Sequence, residues 1–373
     1  MTEKDAVKIS RDKVLFIMHM PPPVHGASMM GKYIHDSKLI HEAFECSYLS
    51  PSDAKSLNEL KKLKLSKLTF FITFHFRLVR LYRQIRPKLC YFTSNSWSLA
   101  FYRDFITVAI LKLLGANIVI HFHNKAKLSF RNKWYNKLLY RRFFKGIHVI
   151  FLAEALAEEF RQYIDAGKIF VCPNGIPETI LPVERSSHTP FTFLFLSNMM
   201  QEKGAWILLE ACAILKTKGY SFQCNYVGQW SDITEDAFLK KSMELGLNNH
   251  VKAYGAKYGN EKQSFFLSAD AFVFPSFDEA MSLVVLEAME HSLPCISTHV
   301  GGIPSMITDE QSGFLVQPKD ADELAGKMAY LLEHPQQAIE MGKTGRVLFE
   351  EKFTLQKFEE RFSSIIKESI KSI

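Results

Sequence analysis

Residues 271–290 read AFVFPSFDEAMSLVVLEAME, and the fold class turns on how this stretch divides. AFVFP is a short apolar and aromatic run, which reads as a buried strand. SFDEA is polar and reads as a loop, and LVVLEAME continues as a helix. A strand feeding a helix through a short loop is one half of a βαβ unit, the building block of parallel sheets. Glu279 and Glu287 frame the junction, eight positions apart. Two readings of the pair stand side by side: solvated, capping or salt-bridged acids of an ordinary helix, or the polar ends of a ligand site. In the second, Ser282 caps the helix and leaves the amides of Leu283 and Val284 as donors without intrahelical partners, well placed for a diphosphate. Glu279 then lies in the loop. Glu287, just over one turn inside, leans back towards the N-terminus and can accept both hydroxyls of a ribose diol.

The same alternation runs along the whole chain. VLFIM (14–18), LCYFT (89–93), NIVIHF (117–122) and IHVIFL (147–152) are short β-prone runs separated by longer amphipathic stretches. FTFLFLS (191–197), FQCNYVG (222–228), PCIS (294–297) and GFLV (313–316) repeat the theme around the opening stretch. This predicts an α/β fold with parallel sheets covered on both faces. At 373 residues the chain exceeds one core, so two doubly wound, Rossmann-like domains are expected. The segment CPNGIPETILPVERSSHTP (172–190), with four prolines, reads as the hinge. The domains are therefore placed at 1–185 and 186–354, with the last helix, 355–373, packing back on the first. Such domains bind ligands at the carboxyl ends of their strands, across a cleft.

Charge is unevenly divided. Residues 1–180 hold 28 basic against 14 acidic residues, and the remainder holds 18 against 25. Residues 57–88 carry nine basic residues and only Glu59 as an acid, while 124–153 carry eight and no acid. In KLTFFITFHFRLVRLYRQIR the basic residues interleave with Leu, Phe and Ile, and NKWYNKLLYRRFFKG (132–146) is similar. Two readings stand: aromatic faces packed on a sheet beneath solvated charges, or basic amphipathic surfaces for anionic lipid through 57–88 and 132–146. No nucleic-acid motif accompanies the charge, so nucleic acid is not an expected partner. No stretch reaches the length of a membrane span or a secretory signal. The six cysteines show no CxxC pairing, which fits reduced thiols in a cytoplasmic protein, peripheral on the inner face of the membrane.

Further candidates follow other strands. HMPPPVHGASMMGKYI places a proline bend and Gly26 before a helix, so it is an ordinary βα loop or a backbone turn that approaches a phosphate. In NIVIHFHN, alternation sets Val119, His121 and His123 on one face, with His123 at the strand end either structural or facing a ligand. In SNMMQEKGAWILLEA, Lys203 precedes a helix and is either a solvated loop lysine or the partner of an anion.

In order, PPPVHGAS (21–28), HFHN (121–124), VCPNGIP (171–177), SNMMQEKG (197–204), FPSFDEAMSLVVLEAM (274–289) and HVGGIPSMITDEQSGFLVQP (299–318) resemble the retaining glycosyltransferases of family four, the group 1 enzymes of bacterial polysaccharide synthesis, with the GT-B fold. The resemblance covers nearly the whole chain and is most specific at Glu279-x7-Glu287. It implies that Glu279 contacts donor-sugar hydroxyls, Glu287 holds the ribose, and Lys203 neutralises the diphosphate with the amides of Leu283 and Val284. It further implies that His123 contacts the sugar near the reaction centre, that Gly26 lets its loop approach the phosphates, and that the base lies against Gly255, Ala256 and Lys257. Three departures stand out. Ser197-Asn198 replaces a common Gly-Arg, which leaves Asn198 in the donor site and one cation fewer on the diphosphate. His25-Gly26 replaces Gly-Gly, and Ala280 and Ser282 replace glycines.

The implied activity is retaining transfer from a nucleotide-sugar, a UDP-sugar first, to a glycan or lipid-linked acceptor of polysaccharide or lipopolysaccharide synthesis. No Asp-x-Asp offers a divalent-metal site for diphosphate, so neither metal nor cofactor is expected. Alternatives are another GT-B activity, such as a sugar-nucleotide epimerase, and a non-catalytic sugar-nucleotide-binding protein. A phosphorylase would carry a cofactor-lysine motif that is not found.

Overall fold

The structure, a computed structural model, describes residues 11–51, 65–179 and 188–372. It divides into two compact units, Met1–Cys172 with Phe358–Ile373, and Pro173–Lys357. The first is built on β1 (Asp12–Ile17), β2 (Phe44–Leu49), β3 (Leu89–Ser94), β4 (Ile118–Phe122), β5 (His148–Phe151) and β6 (Ile169–Val171). These pair in parallel in the order β2-β1-β3-β4-β5-β6. The second unit holds β7 (Phe191–Leu196), β8 (Phe222–Val227), β9 (Val251–Ala253), β10 (Ala271–Phe274), β11 (Cys295–Thr298) and β12 (Gly313–Val316). Their order is β12-β11-β10-β7-β8-β9, again all parallel.

Nine of the twelve strands fall where the apolar runs predicted them. In β3, β4, β5, β7, β10, β11 and β12 every residue is buried, as a parallel sheet covered on both faces requires. The three unforeseen strands, β2, β6 and β9, are sheet edges. All three are only partly buried; FECSYL and VKA include charged or polar residues, as edges tend to, and IFV is only three residues long.

The division between units falls at Cys172/Pro173, earlier than the expected 185, which lies outside the described residues together with the rest of 180–187. The start of the expected hinge packs on the second unit: Ile176 donates to the Phe353 carbonyl (3.1 Å) and Thr179 donates to Glu290 Oε1 (2.5 Å). Burial raises the Glu290 carboxyl above its ordinary range. The last helix, Leu355–Lys371, joins the first unit from Phe358 onwards. Its buried Phe362 ring lies 5.1 Å from Tyr91 of β3 and 6.4 Å from Phe16 of β1.

Three helices of the first unit are tied side by side. His75 of Leu65–Ile85 meets Thr107 of Ser98–Leu113 at 3.0 Å, and Tyr102 of that helix donates to Asn136 of Trp134–Phe144 at 2.9 Å. Phe76 (73% exposed), Trp134 (77%), Ile72 and Leu138 stand outwards among Arg77, Arg80, Lys133, Lys137 and Arg141. Residues 57–64 of the expected basic surface lie outside the described residues. Among the described residues no helix is long and apolar enough to cross a membrane. All six cysteines are free, five of them buried.

Candidate functional site

In the second sheet the chain runs β7, β8, β9 in one direction and then places β10 on the other side of β7. The loops leaving β7 and β10 therefore flank the point where strand order reverses, the usual ligand position in open α/β sheets. Both candidate motifs stand there. After β7 the chain passes Asn198, makes a single 3-10 turn at Gln201–Lys203, and starts the helix Ala205–Thr217 from Gly204. After β10 it crosses 275–281 and begins the helix Leu283–Glu290 from Ser282.

Two glycines press these loops together. Gly204 has φ +80, and a Cβ there would lie 2.1 Å from the Pro275 carbonyl oxygen. Gly301, with φ +58, lies against the Glu279 backbone, where a Cβ would fall 1.9 Å from its carbonyl oxygen. Gly302 then donates to the Ala280 carbonyl at 2.6 Å. The Gly-Gly-Ile-Pro block is thus the bed on which the glutamate loop rests. The outcome is direct contact between the motifs. Lys203 Nζ donates to Glu279 Oε2 at 2.7 Å and to the Asp278 carbonyl at 3.4 Å. The two side chains remain 24% and 16% exposed, so the pair is sheltered yet reachable.

Ser282 occupies the cap position, but its hydroxyl makes no capping bond, contrary to the expected side-chain cap. The first-turn amides of Leu283 and Val284 stay without that competitor, as helix starts leave them. Glu287 lies on the same helix. Its Oε1 receives Lys262 Nζ at 2.6 Å, while Oε2 is buried without a hydrogen-bond partner among the described residues. An orphaned buried carboxylate oxygen is costly and points to a missing donor. Gly255, Ala256 and Lys257 follow β9; the Gly255 carbonyl is tied to Gly228 N (2.9 Å), and Lys257 reaches Glu261 (3.4 Å). One Asp-x-Asp spacing does occur, Asp320-Ala321-Asp322, and there Asp320 caps a helix by accepting from Glu323 N at 2.8 Å.

His123 and Gly26 belong to the first unit, where the reversal of strand order lies between β1 and β3. Gly26 opens the helix Gly26–Asp36, capped by His25 through a reciprocal pair with Ser28 (3.0 and 3.3 Å). A Cβ on Gly26 would meet nothing within 4 Å, so local packing does not demand glycine there. Gly31 is the constrained one, with a Cβ position 2.0 Å from the His19 carbonyl oxygen. His123 follows β4, its ring 4.1 Å from the buried His121. Asn124 is committed locally, accepting from Ser96 N (3.2 Å) and Ser96 Oγ (3.1 Å). His19, which sequence reasoning passed over, sits close enough to His25, His123 and Arg103 to feel their charges. Burial foremost, then those cations, holds its pKa down to about 3. Burial likewise lowers His25 and His121. Lys262 was also missed, because nothing in its local sequence distinguishes it from a surface lysine.

Comparison with known proteins concerns the chain as a whole. The family model for group 1 glycosyl transferases matches residues 177–348, and that for glycosyltransferase family 4 matches 43–179. The amylovoran biosynthesis glycosyltransferase AmsK of Erwinia amylovora is 31% identical over 197 residues, covering 50% of this chain and 48% of AmsK. The capsular polysaccharide biosynthesis glycosyltransferase CapM of Staphylococcus aureus is 26% identical over 183 residues, covering 48% of this chain and 47% of CapM. In both, the match spans about half of the relative's own length. The crystal structure of Anabaena HepE in complex with UDP superposes with a TM-score of 0.72 at 17% identity, over 97% of this chain and 100% of that one. Two consecutive family matches over residues 43–348 thus accompany a GT-B architecture of two parallel six-stranded sheets, and along that span the chain is similar to the family 4 and group 1 glycosyltransferases.

Proposed function

We propose that this protein transfers a sugar from a nucleotide-sugar to a glycan or lipid-linked acceptor, in the synthesis of cell-surface polysaccharide or lipopolysaccharide. The observation that carries the reading is the Lys203–Glu279 pair, 2.7 Å apart at the reversal point of the second sheet and one loop from a helix start. A UDP-sugar is the favoured donor, since HepE, of the same fold, was solved with UDP. The names of AmsK and CapM support the polysaccharide context.

The proposed roles follow from chemistry. Diphosphate lies at the Leu283–Val284 amides, and Lys203 leaves Glu279 in part to neutralise it as charge develops. Glu279, relieved of its lysine, accepts hydroxyls of the donor sugar. Glu287 Oε2 takes a ribose hydroxyl, and the base rests on Gly255–Lys257. Asn198 contributes a neutral contact where relatives of this type often carry a cation. His123 and Gly26, in the first unit, stay candidates on the resemblance alone. The bond from the anomeric carbon to the diphosphate oxygen breaks, and the acceptor oxygen bonds to the same face. Its proton passes to the departing phosphate, so configuration is retained with no protein base and no metal. We further assign the exposed Phe76 and Trp134, set among arginines and lysines, to peripheral contact with anionic lipid.

The test is a thermal-shift screen of UDP-, GDP- and ADP-sugars, followed by slow donor hydrolysis. Wild type should release nucleoside diphosphate and Glu279→Ala should not. Equal release by both proteins would overturn the assignment.

A further inference from the structure

Lys262 meets Glu287 through an interface more specific than a surface ion pair. On the helix Gly259–Leu267, Lys262 and Phe266 stand four residues apart on one face, as do Glu287 and His291 at the end of the helix Leu283–Glu290. The two rows engage pairwise. The buried Phe266 ring stacks on His291 at 4.9 Å and 22°, and Lys262 Nζ sits 2.6 Å from Glu287 Oε1. His291 Nδ1 also lies 2.7 Å from the Glu287 carbonyl oxygen. The aromatic contact fixes how the helices slide past one another, and so fixes where the lysine arrives. The nearby acid Glu261 is 70% exposed and engaged by Lys257 at 3.4 Å.

A carboxylate with both oxygens free would accept both hydroxyls of a ribose diol. Here Oε1 already accepts an ammonium, which leaves it the weaker acceptor for a further donor, and Oε2 is buried without a partner among the described residues. We propose that Lys262 is a positioning residue of the nucleotide site, holding Glu287 by Oε1 so that Oε2 alone reads a single ribose hydroxyl. This rests on the donor-site reading above and adds to it an asymmetry between the two hydroxyls.

The experiment measures binding of UDP, GDP and ADP to the full chain by calorimetry, then of the 2′-deoxy and 3′-deoxy forms of the tightest binder. In wild type one deoxy form should lose about tenfold in affinity, the worth of one hydrogen bond to a charged group, and the other should bind within about twofold of the parent. In Lys262→Met both oxygens become available, so the difference between the two deoxy forms should fall below about threefold. Lys262→Arg, which keeps a cationic donor, should restore it. Wild type that treats the two forms alike overturns the proposal. So does Lys262→Met that keeps the wild-type ratio while Glu287→Gln loses nucleotide affinity, and in that case the donor reading survives. A lower melting temperature for Lys262→Met with an unchanged ratio marks a purely structural tie and also overturns it. Absence of any nucleoside diphosphate binding to wild type overturns both readings together.

Discussion

Replacing Gly301 by alanine tests whether the Gly-Gly-Ile-Pro loop is the bed of the glutamate loop. The added Cβ would lie 1.9 Å from the Glu279 carbonyl oxygen and 3.1 Å from that of Ala280. Side-chain carbons do not approach closer than 3.0 Å, so one of the two backbones must retreat by about 1.1 Å. Neither obstacle is the end of a flexible side chain. Alanine must also adopt φ +58, a left-handed conformation costing about 1–2 kcal/mol outside glycine. The second loss falls on chemistry as far as the Glu279 backbone takes up the shift, because the Glu279 side chain meets Lys203 at 2.7 Å. A displacement near 1 Å in a catalytic group costs on the order of 10²-fold in rate. Gly301→Ala should therefore lower donor turnover by about 10²-fold and the melting temperature by several degrees. The assay is release of nucleoside diphosphate from the best-binding nucleotide-sugar, with thermal unfolding alongside. Gly26→Ala is the control for stability, since its Cβ meets nothing within 4 Å, and it should melt as wild type does. A Gly301→Ala protein with wild-type turnover and melting would refute the reasoning.

Lys203→Ala should reduce turnover by a factor on the order of 10² or more through loss of leaving-group neutralisation; a rate within threefold of wild type sinks that role. Stability should also fall in acid. His19 has a folded pKa of about 3 against an unfolded value of 6.5, so the unfolded chain takes the proton first. Its contribution is complete above pH 6.5 and is lost as pH falls towards 3, at roughly 1.4 kcal/mol per pH unit. His19→Gln should flatten the melting-temperature profile across that window, and an unchanged slope would count against it. Co-sedimentation with anionic vesicles should weaken in Phe76→Ser and Trp134→Ser and fade with salt. Binding that is indifferent to both substitutions and to salt would remove the lipid surface.

Much of this protein is written locally. Seven strands are buried along their whole length, and both the period and the length of such runs are visible in one dimension. The strand–loop–helix reading of 271–290 holds, with β10 at Ala271–Phe274 and the helix at Leu283–Glu290. The edge strands Phe44–Leu49 and Val251–Ala253 escaped notice because an edge half open to water needs no continuous apolar run, and Ile169–Val171 because three apolar residues are too few to read as a strand.

Proximity was the part that local pattern did not contain. Lys203 and Glu279 are 76 residues apart, and Lys262 and Glu287 are 25 apart. They meet because β10 pairs with β7 instead of extending the run past β9, a choice made by the packing of whole units. The same holds for Gly301, whose need for hydrogen in place of a side chain exists only once its loop lies against Glu279. Residue types and their spacing determined which chemistry was available along the chain. Sheet order decided which of those groups share a site, since a contact between distant segments depends on how strands are stacked and not on what flanks each residue.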